Sequence, residues 1–282
     1  TVSRQILEDF KEAAALMEDH PGLYEEMAGF SYSLSDPEEI LACLQEKIRD
    51  DYPEPISRDY SLHYVPEALE PVLSPAFYLT PPMDLPDSNT IYINRGSYAS
   101  QAQLFTTLAH EGYPGHLYQT SYFIRRGARP FRHLLSFSSY TEGWATYVEY
   151  DSCRLDEKMS PEMARLMQLN SSINLGIHAY LDIMVNDQGW DLQKVADYVS
   201  QYFQDPNQEL AHALYEAVAD NPTNFLEYYV GYLEFYDMRK KAEEALGNAF
   251  EAKAFHQFLL DIGPAPFGII RERLEEWIKE VK

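Results

Sequence analysis

The chain has 282 residues, of which 45% are hydrophobic and 24% charged, a composition typical of a folded globular protein and not of a disordered one. Its 22 basic and 45 acidic residues give a net charge of −23, which repels phosphate backbones and argues against nucleic acid as a partner. The two cysteines, Cys43 and Cys153, indicate neither a disulfide framework nor a cysteine zinc cluster. No stretch reaches the roughly 18 apolar residues of a membrane span.

The N-terminus shows no signal peptide. Because the chain begins at Thr1 and not at Met, we expect a preceding segment of the same protein, and localisation is left open between the cytoplasm and export. The oligomeric state is left open as well.

Residues 1–51 are predicted to form two helices. Apolar residues recur at helical spacing after Ser3, a candidate N-cap, until Pro21-Gly22 ends the segment. The segment Asp36-Pro37-Glu38-Glu39 combines a capping residue, a proline at the first helical position and an acidic first turn. This pattern predicts a second helix that runs to about Asp50.

Residues 52–95 are predicted to form strands and loops, because their many prolines exclude long helices. Segments 61–65, 76–80 and 90–94 are rich in aromatic and β-branched residues, which favours a small sheet. We expect 90–94 to be an edge strand that pairs with an extended substrate, with Tyr92 and Asn94 as substrate contacts. A purely structural hairpin is the alternative.

From residue 96 onward the pattern is helical almost throughout. Helices are predicted over 97–111, 116–126, 142–155, 160–183, 191–203, 207–219, 223–246, 251–261 and 266–280. The chain is therefore predicted to be a single mainly α domain, 1–282, with a small sheet. Its three parts are the N-terminal helices of 1–51, the strands of 52–95 and the helical region of 96–282.

The stretch from Ala109 to His116, A-H-E-G-Y-P-G-H, has the composition of a metal site. His-Glu resembles the start of the zinc-protease motif H-E-x-x-H, in which two His four residues apart share a helix face. Here the second His follows at six residues, which on a regular helix lies on another face, roughly 9 Å further along. Pro114-Gly115 lies between the two His and favours a break in the helix. We therefore expect the helix to be deformed between Gly112 and His116, so that His110 and His116 bind one zinc ion.

A catalytic zinc takes three protein ligands, and two His with one Glu is a recurring set. Glu142, which begins the segment E-G-W-A-T-Y-V-E, is predicted to be the third ligand. Glu149, seven residues later on the same helix face, could orient a ligand His or replace Glu142 as the ligand. Glu111 cannot share a helix face with His110, which suits a general base acting on water better than a ligand.

A zinc hydrolase also needs donors that stabilise the negative charge of the transition state. The C-terminal helices carry four candidates that can donate hydrogen bonds: Tyr228, Tyr229, Arg239 and His256.

The motifs H-E-G-Y-P-G-H-L-Y-Q, residues 110–119, and E-G-W-A-T-Y-V-E, residues 142–149, resemble a bacterial family catalogued as domain of unknown function 885, regarded as gluzincin-like zinc metallopeptidases. The resemblance covers about the last 210 residues and includes Pro222, Tyr228, Gly231 and Arg239. It implies zinc ligands at His110, His116 and Glu142, with Glu111 as the base. It makes Tyr228 and Arg239 the preferred substrate or transition-state contacts, followed by His256.

The chain departs from the family at Pro222-Thr223-Asn224, where members often have Pro-Gly-Gln, and in the loop before 90–94. Members are usually nearly twice as long, so the resemblance implies the C-terminal catalytic part of a longer protein. The resulting expectation is a zincin-like multi-helix domain whose sheet lies beside the active-site helix, with one Zn²⁺ per chain hydrolysing peptide substrates. The alternatives are an inactive peptide-binding or scaffold domain and a zinc hydrolase of a non-peptide amide.

Overall fold

Twelve α-helices and one three-stranded sheet form the described part of the protein in a computed structural model, which describes residues 1–82, 84–97, 101–127, 129–201 and 208–282. The helices are α1 (Val2–Asp19), α2 (Leu23–Gly29), α3 (Pro37–Lys47), α4 (Gln101–Glu111), α5 (His116–Arg125), α6 (Ser138–Ser152), α7 (Pro161–Asn186), α8 (Leu192–Val199), α9 (Gln208–Asp220), α10 (Asn224–Leu246), α11 (Ala252–Ile262) and α12 (Phe267–Val281). The strands are β1 (Ser61–Tyr64), β2 (Ala76–Leu79) and β3 (Thr90–Ile93). The prediction of a mainly α protein with a small sheet is confirmed.

Two of the predicted helix starts have the expected caps. The Asp36 carboxylate accepts hydrogen bonds from the backbone N–H groups of Glu38 and Glu39 at the start of α3. The Ser160 hydroxyl accepts one from Met163 N at the start of α7, at 3.1 Å. By contrast, Ser3 is wrong as a cap, since α1 already begins at Val2 without a side-chain cap.

Other boundaries differ from the predictions because tertiary contacts extend or add helices. Helix α6 begins at Ser138, before Glu142, and its first turn is held by the Tyr140 hydroxyl, which donates to Leu259 O at 3.0 Å. The short helix α2 follows Pro21-Gly22, where no helix was predicted, and buries Leu23 against α7. The predicted helical residues 98–100, 202–203 and 207 lie outside the described residues.

The sheet has the order β1-β3-β2, with β3 parallel to β1 and antiparallel to β2. The prediction that 90–94 is an edge strand is therefore wrong, because β3 is hydrogen-bonded on both sides and has no free edge for a substrate. The strand with a free edge beside the candidate site is β2. The backbone N–H of Tyr78 points away from β3 and donates to Glu111 Oε2 at 2.8 Å.

A hydrophobic core extends from Val2 in α1 to Ile278 in α12 and includes Trp144 and Phe235, both completely buried. No helix in the described ranges is long and apolar enough to cross a membrane. Helix α6, which carries Glu142, packs along α10, which carries Tyr228, so this helix pair positions part of the site.

The close approach of α6 and α10 depends on two glycines. A Cβ atom on Gly231 would lie 2.1 Å from Ser139 O, and one on Gly143 would lie 2.4 Å from the Gly231 carbonyl carbon. Both distances are far inside van der Waals contact and involve backbone atoms, so a side chain at either position would push the two helices apart.

We expect Gly231→Ala to lower the free energy of unfolding by about 3 kcal/mol, because the added methyl overpacks the α6–α10 contact. Gly268→Ala in α12 is the matched control: a Cβ there meets no atom within 4 Å, and removing a helical glycine should stabilise by about 1 kcal/mol. Denaturant unfolding of both variants measures the difference. Equal stability of the two variants would contradict the packing argument.

Candidate metal centre

The helix that carries His110 stops one residue later. Helix α4 ends at Glu111 and α5 begins at His116, which confirms the predicted break between Gly112 and His116. Gly115 makes the break compact, since a Cβ atom there would lie only 1.7 Å from His110 O. The Trp144 indole N–H donates to Pro114 O at 2.9 Å and so ties the turn to α6.

This turn brings the two histidines and Glu142 together. Glu142 Oε2 lies 3.6 Å from His110 Nε2 and 3.3 Å from His116 Nε2, and one ligand atom of each residue lies within 4.8 Å of the others. The two imidazole rings are nearly perpendicular, at 84°, with centroids 4.7 Å apart. Within the described ranges, no other group of three His, Cys, Asp or Glu side chains meets the same distance criterion.

These residues fit a bound divalent cation. Tetrahedral ligands at about 2.0 to 2.1 Å from zinc are separated from one another by roughly 3.3 Å, close to the two distances from Glu142. Glu142 Oε2 is buried and has no hydrogen-bond partner among the described residues. A buried carboxylate oxygen without a partner is costly, and a cation between the three side chains would remove that cost.

The Glu149 carboxylate contacts Nδ1 of His110, the ring nitrogen that does not face Glu142. Its Oε2 is 2.9 Å from His110 Nδ1, so the carboxylate orients the ring and leaves Nε2 facing Glu142. Burial by itself would lower the pKa of His110, but the carboxylates of Glu142 and Glu149 outweigh it and raise that pKa above its ordinary value. The same two imidazoles hold the pKa of Glu142 well below its usual range against the opposing effect of burial.

Glu111 points into the same cleft without joining the cluster. Its Oε2 accepts the hydrogen bond from Tyr78 N at 2.8 Å, and no other hydrogen bond to its carboxylate is found in the described part of the chain. Strand β2 thus fixes one oxygen of Glu111 and leaves the second oxygen available for proton transfer.

Tyr228 also lines the cleft. Its ring is nearly parallel to that of His110, at 18° with centroids 6.2 Å apart. Burial, followed by the negative charge of Glu142, raises the pKa of the Tyr228 phenol, which keeps it protonated and able to donate a hydrogen bond. The cleft has a volume of about 370 Å³ and is also lined by Thr107 and residues 74–78.

Arg239 and His256 do not line this cleft, and neither does Tyr229, which is completely buried. Arg239 donates to the Tyr147 hydroxyl at 2.9 Å and to Glu243 at 2.7 Å. His256 is completely buried, with Nδ1 2.6 Å from Asp51 O and Nε2 2.8 Å from the Tyr147 hydroxyl.

Tyr147 joins Arg239 and His256 in this second network. A carbonyl can only accept, so Nδ1 of His256 carries the proton and Tyr147 donates to Nε2. Burial lowers the pKa of His256 to about 4, which keeps the ring neutral. Tyr147 follows Glu142 by five residues on α6, about 140° around the helix, so the network lies on another face of α6. The sequence places these residues on the right helices but cannot show which face each helix turns to the metal.

Tyr92 and Asn94, which were predicted as substrate contacts, do not line the cleft, and both make contacts within and beside the sheet. Tyr92 stacks on Phe77 of β2, with ring centroids 5.3 Å apart. Asn94 is completely buried, and its Nδ2 donates to Glu70 O and Leu73 O at 2.8 and 2.7 Å. The sequence did not reveal the hydrogen bond from Tyr78 N to Glu111. Segment 76–80 was predicted as a strand, but the order of the strands in the sheet decides which of them borders the site.

The fold and the site define a mainly helical protein with a candidate centre of two histidines and one glutamate. The chain belongs to the family described as "Bacterial protein of unknown function (DUF885)", which it matches over residues 1–274. This match begins at residue 1 and so extends further towards the N-terminus than the expected 210 residues. The search of curated proteins found no match.

Two solved structures share the fold. One, described as "the putative lipoprotein from Colwellia psychrerythraea", superposes with a TM-score of 0.78 at 19% identity over 99% of this chain and 51% of that one. The other, "a putative lipoprotein of unknown function from Shewanella oneidensis", gives 0.69 at 17% identity over 97% and 56%. The chain therefore spans about half the length of the solved structures it matches, and at these identities the likeness concerns the fold alone.

Proposed function

We propose that this protein is a zinc-dependent metallopeptidase of the zincin type, related to the gluzincins. The observation that carries the proposal is the convergence of His110, His116 and the unpartnered Oε2 of Glu142, with Glu111 beside them in an open cleft. These three residues would hold one zinc ion. When bound, zinc would act as a Lewis acid on the scissile carbonyl and lower the pKa of a water molecule.

The outer edge of β2 supports an extended peptide as the substrate. Successive residues of an edge strand point their backbone groups alternately towards and away from the sheet. Since Tyr78 N points away from β3, Ala76 N–H, Ala76 C=O and Tyr78 C=O face the cleft as well. A peptide chain could add to this edge by β-augmentation, with its scissile carbonyl beside Glu111.

Glu111 and Tyr228 supply the remaining chemistry. With one oxygen held by Tyr78 N, Glu111 would take a proton from the attacking water and deliver it to the leaving amine. The protonated Tyr228 phenol would donate a hydrogen bond to the carbonyl oxygen as negative charge develops on it. We assign Arg239 and His256 no part in this step, because neither side chain lines the cleft.

The proposal is tested by elemental analysis of the purified protein and by incubation with a mixed peptide library read by mass spectrometry. We expect one zinc per chain, peptide cleavage, loss of cleavage after chelation and recovery when zinc is added back. Absence of bound zinc under metal-replete conditions would refute the metal centre. Bound zinc with cleavage of acyl amides but of no peptide would favour the non-peptide hydrolase, and peptide binding without any cleavage would favour a binding domain.

A further inference from the structure

A second cavity, larger than the metal cleft, opens beside it. Its volume is about 600 Å³, and it lies between the end of β2, helix α5, the segment 130–137 and the start of α6. Five large apolar side chains form much of its wall: Phe123, Ile124, Leu134, Leu135 and Phe137. We refer to this cavity, defined by these five residues, as the Phe123 pocket.

The Phe123 pocket adjoins the metal cluster, because three elements each contribute one residue to the cleft and a near neighbour to the pocket. The pairs, cleft residue first, are Tyr78 and Thr80 at β2, His116 and Thr120 in α5, and Glu142 and Thr141 in α6. Two residues along a strand or four along a helix correspond to roughly 6 to 7 Å. If a peptide is bound with its scissile bond at the metal cluster, the side chain that enters the pocket therefore belongs to a residue next to that bond.

The chemistry of the wall selects against a basic side chain. Although the chain carries a net charge of −23, no Asp or Glu occurs among the described residues that line the pocket. The arginine in the wall, Arg132, donates through Nη2 to Ile262 O and Pro264 O at 2.8 and 2.9 Å. These bonds hold the guanidinium against the backbone at the pocket wall. His133 also lines the pocket, with its ring centroid 4.8 Å from that of Phe123. Because no carboxylate is found among the described lining residues, a basic side chain finds no ion-pair partner there.

The wall also contains one buried polar side chain. Gln119 is only 2% exposed, lines the pocket and has an amide Nε2 without a hydrogen-bond partner in the described ranges. Because this nitrogen is itself buried, it adds no donor at the pocket surface. Leu134 and Leu135, in contrast, are 78% and 49% exposed and both line the pocket, and adjoining exposed apolar side chains of this kind mark an interaction site.

We propose that the Phe123 pocket determines specificity by receiving a bulky apolar side chain, of the Phe or Leu class, from a residue that flanks the scissile bond. This inference rests on the proposed function, since it names the peptides that the same site would hydrolyse. The size of the pocket, its apolar walls and the absence of carboxylates among the described lining residues all favour the same class of side chain.

The test uses two series of fluorogenic peptides. In one series the residue on the amino side of the cleaved bond is Phe, Ala or Lys, and in the other series the residue on the carboxyl side is varied in the same way. We expect the wild type to prefer Phe over Lys by about tenfold or more in kcat/KM in one of the series. Leu134→Asp, which places a carboxylate at the mouth, should reduce that ratio at least about tenfold. Ser136→Trp, at an exposed lining position, should fill the pocket and abolish the preference for Phe over Ala.

Leu7→Asp is the matched control, because Leu7 is 52% exposed on α1 and does not line the pocket. The ratios of kcat/KM between the peptides should be the same for this variant as for the wild type. The second readout is calorimetric binding of the same peptides to Glu111→Gln, where Phe should again bind more tightly than Lys. Peptide cleavage without a Phe preference in either series, or with a preference that neither pocket variant changes, would overturn the specificity pocket and leave the proposed function intact.

Absence of cleavage together with tighter binding of Phe peptides would refute the peptidase and retain the pocket. If neither cleavage nor selective binding occurs, both proposals fail.

Discussion

Replacing Glu111 with Gln is expected to lower kcat/KM for peptide hydrolysis by about 10²- to 10⁴-fold while the zinc content stays at one per chain. The amide oxygen of Gln can still accept the hydrogen bond from Tyr78 N that Glu111 accepts in the structure. The side chain therefore keeps its position but loses its ability to take a proton from water. Zinc retention is expected because Glu111 is not among the three residues whose ligand atoms converge.

The measurement combines elemental analysis with steady-state kinetics on one peptide. Glu280→Gln, at an exposed position near the end of α12, is the matched control for the loss of one carboxylate and should keep the wild-type rate. If Glu111→Gln binds zinc and cleaves as fast as the wild type, the assignment of Glu111 as the base is wrong even though the metal centre is right. Loss of zinc from this variant would instead assign Glu111 a role in holding the metal.

His116→Ala is expected to remove stoichiometric zinc and, with it, hydrolysis. A catalytic zinc has only three protein ligands. Because loss of a residue that merely supports a ligand already weakens metal affinity about 10- to 100-fold, loss of a ligand should cost more than about 100-fold. Zinc that binds the folded protein raises the free energy of unfolding, so the wild type should show a zinc-dependent rise in Tm that His116→Ala lacks.

His212→Ala is the control for the loss of an imidazole, since His212 is exposed on α9 and pairs there with Glu216. It should retain both zinc and the rise in Tm. If His116→Ala kept one zinc per chain, the ligand set would have to change. Glu149 is then the residue to test next, because its carboxylate already contacts His110 at 2.9 Å.

Local sequence signals predicted most of the helices and the central feature of the site. The caps at Asp36 and Ser160 act through neighbouring backbone N–H groups, so they could be recognised from a few consecutive residues. The break at Pro114-Gly115 is also local: the spacing between His110 and His116 makes sense only if the helix stops, and it does stop. Glu142 and Glu149 share a face of α6 because seven residues are close to two turns.

Contacts between distant segments were less predictable. Strands β1, β2 and β3 have similar compositions, and nothing within them shows that β3 is central and that β2 borders the site. Arg239 and Tyr228 lie on one helix, eleven residues apart, so their separation along the axis is about 16 Å. Only one of them can reach the cluster, and the packing of α10 on α6 decides that it is Tyr228.

The sequence by itself determined the mainly α class and the break in the helix that carries His110. Both depend on residue types within a few turns of a helix, where geometry follows directly from spacing. His110, His116 and Glu142 were predicted as a set from their motifs, and the tertiary structure brings them together from α4, α5 and α6. Only the tertiary structure decided the edge strand, the placement of Arg239 and His256 in a separate network, and the Phe123 pocket beside the cleft. These features arise where elements far apart in the chain pack together, and the faces they bury are chosen by the whole core.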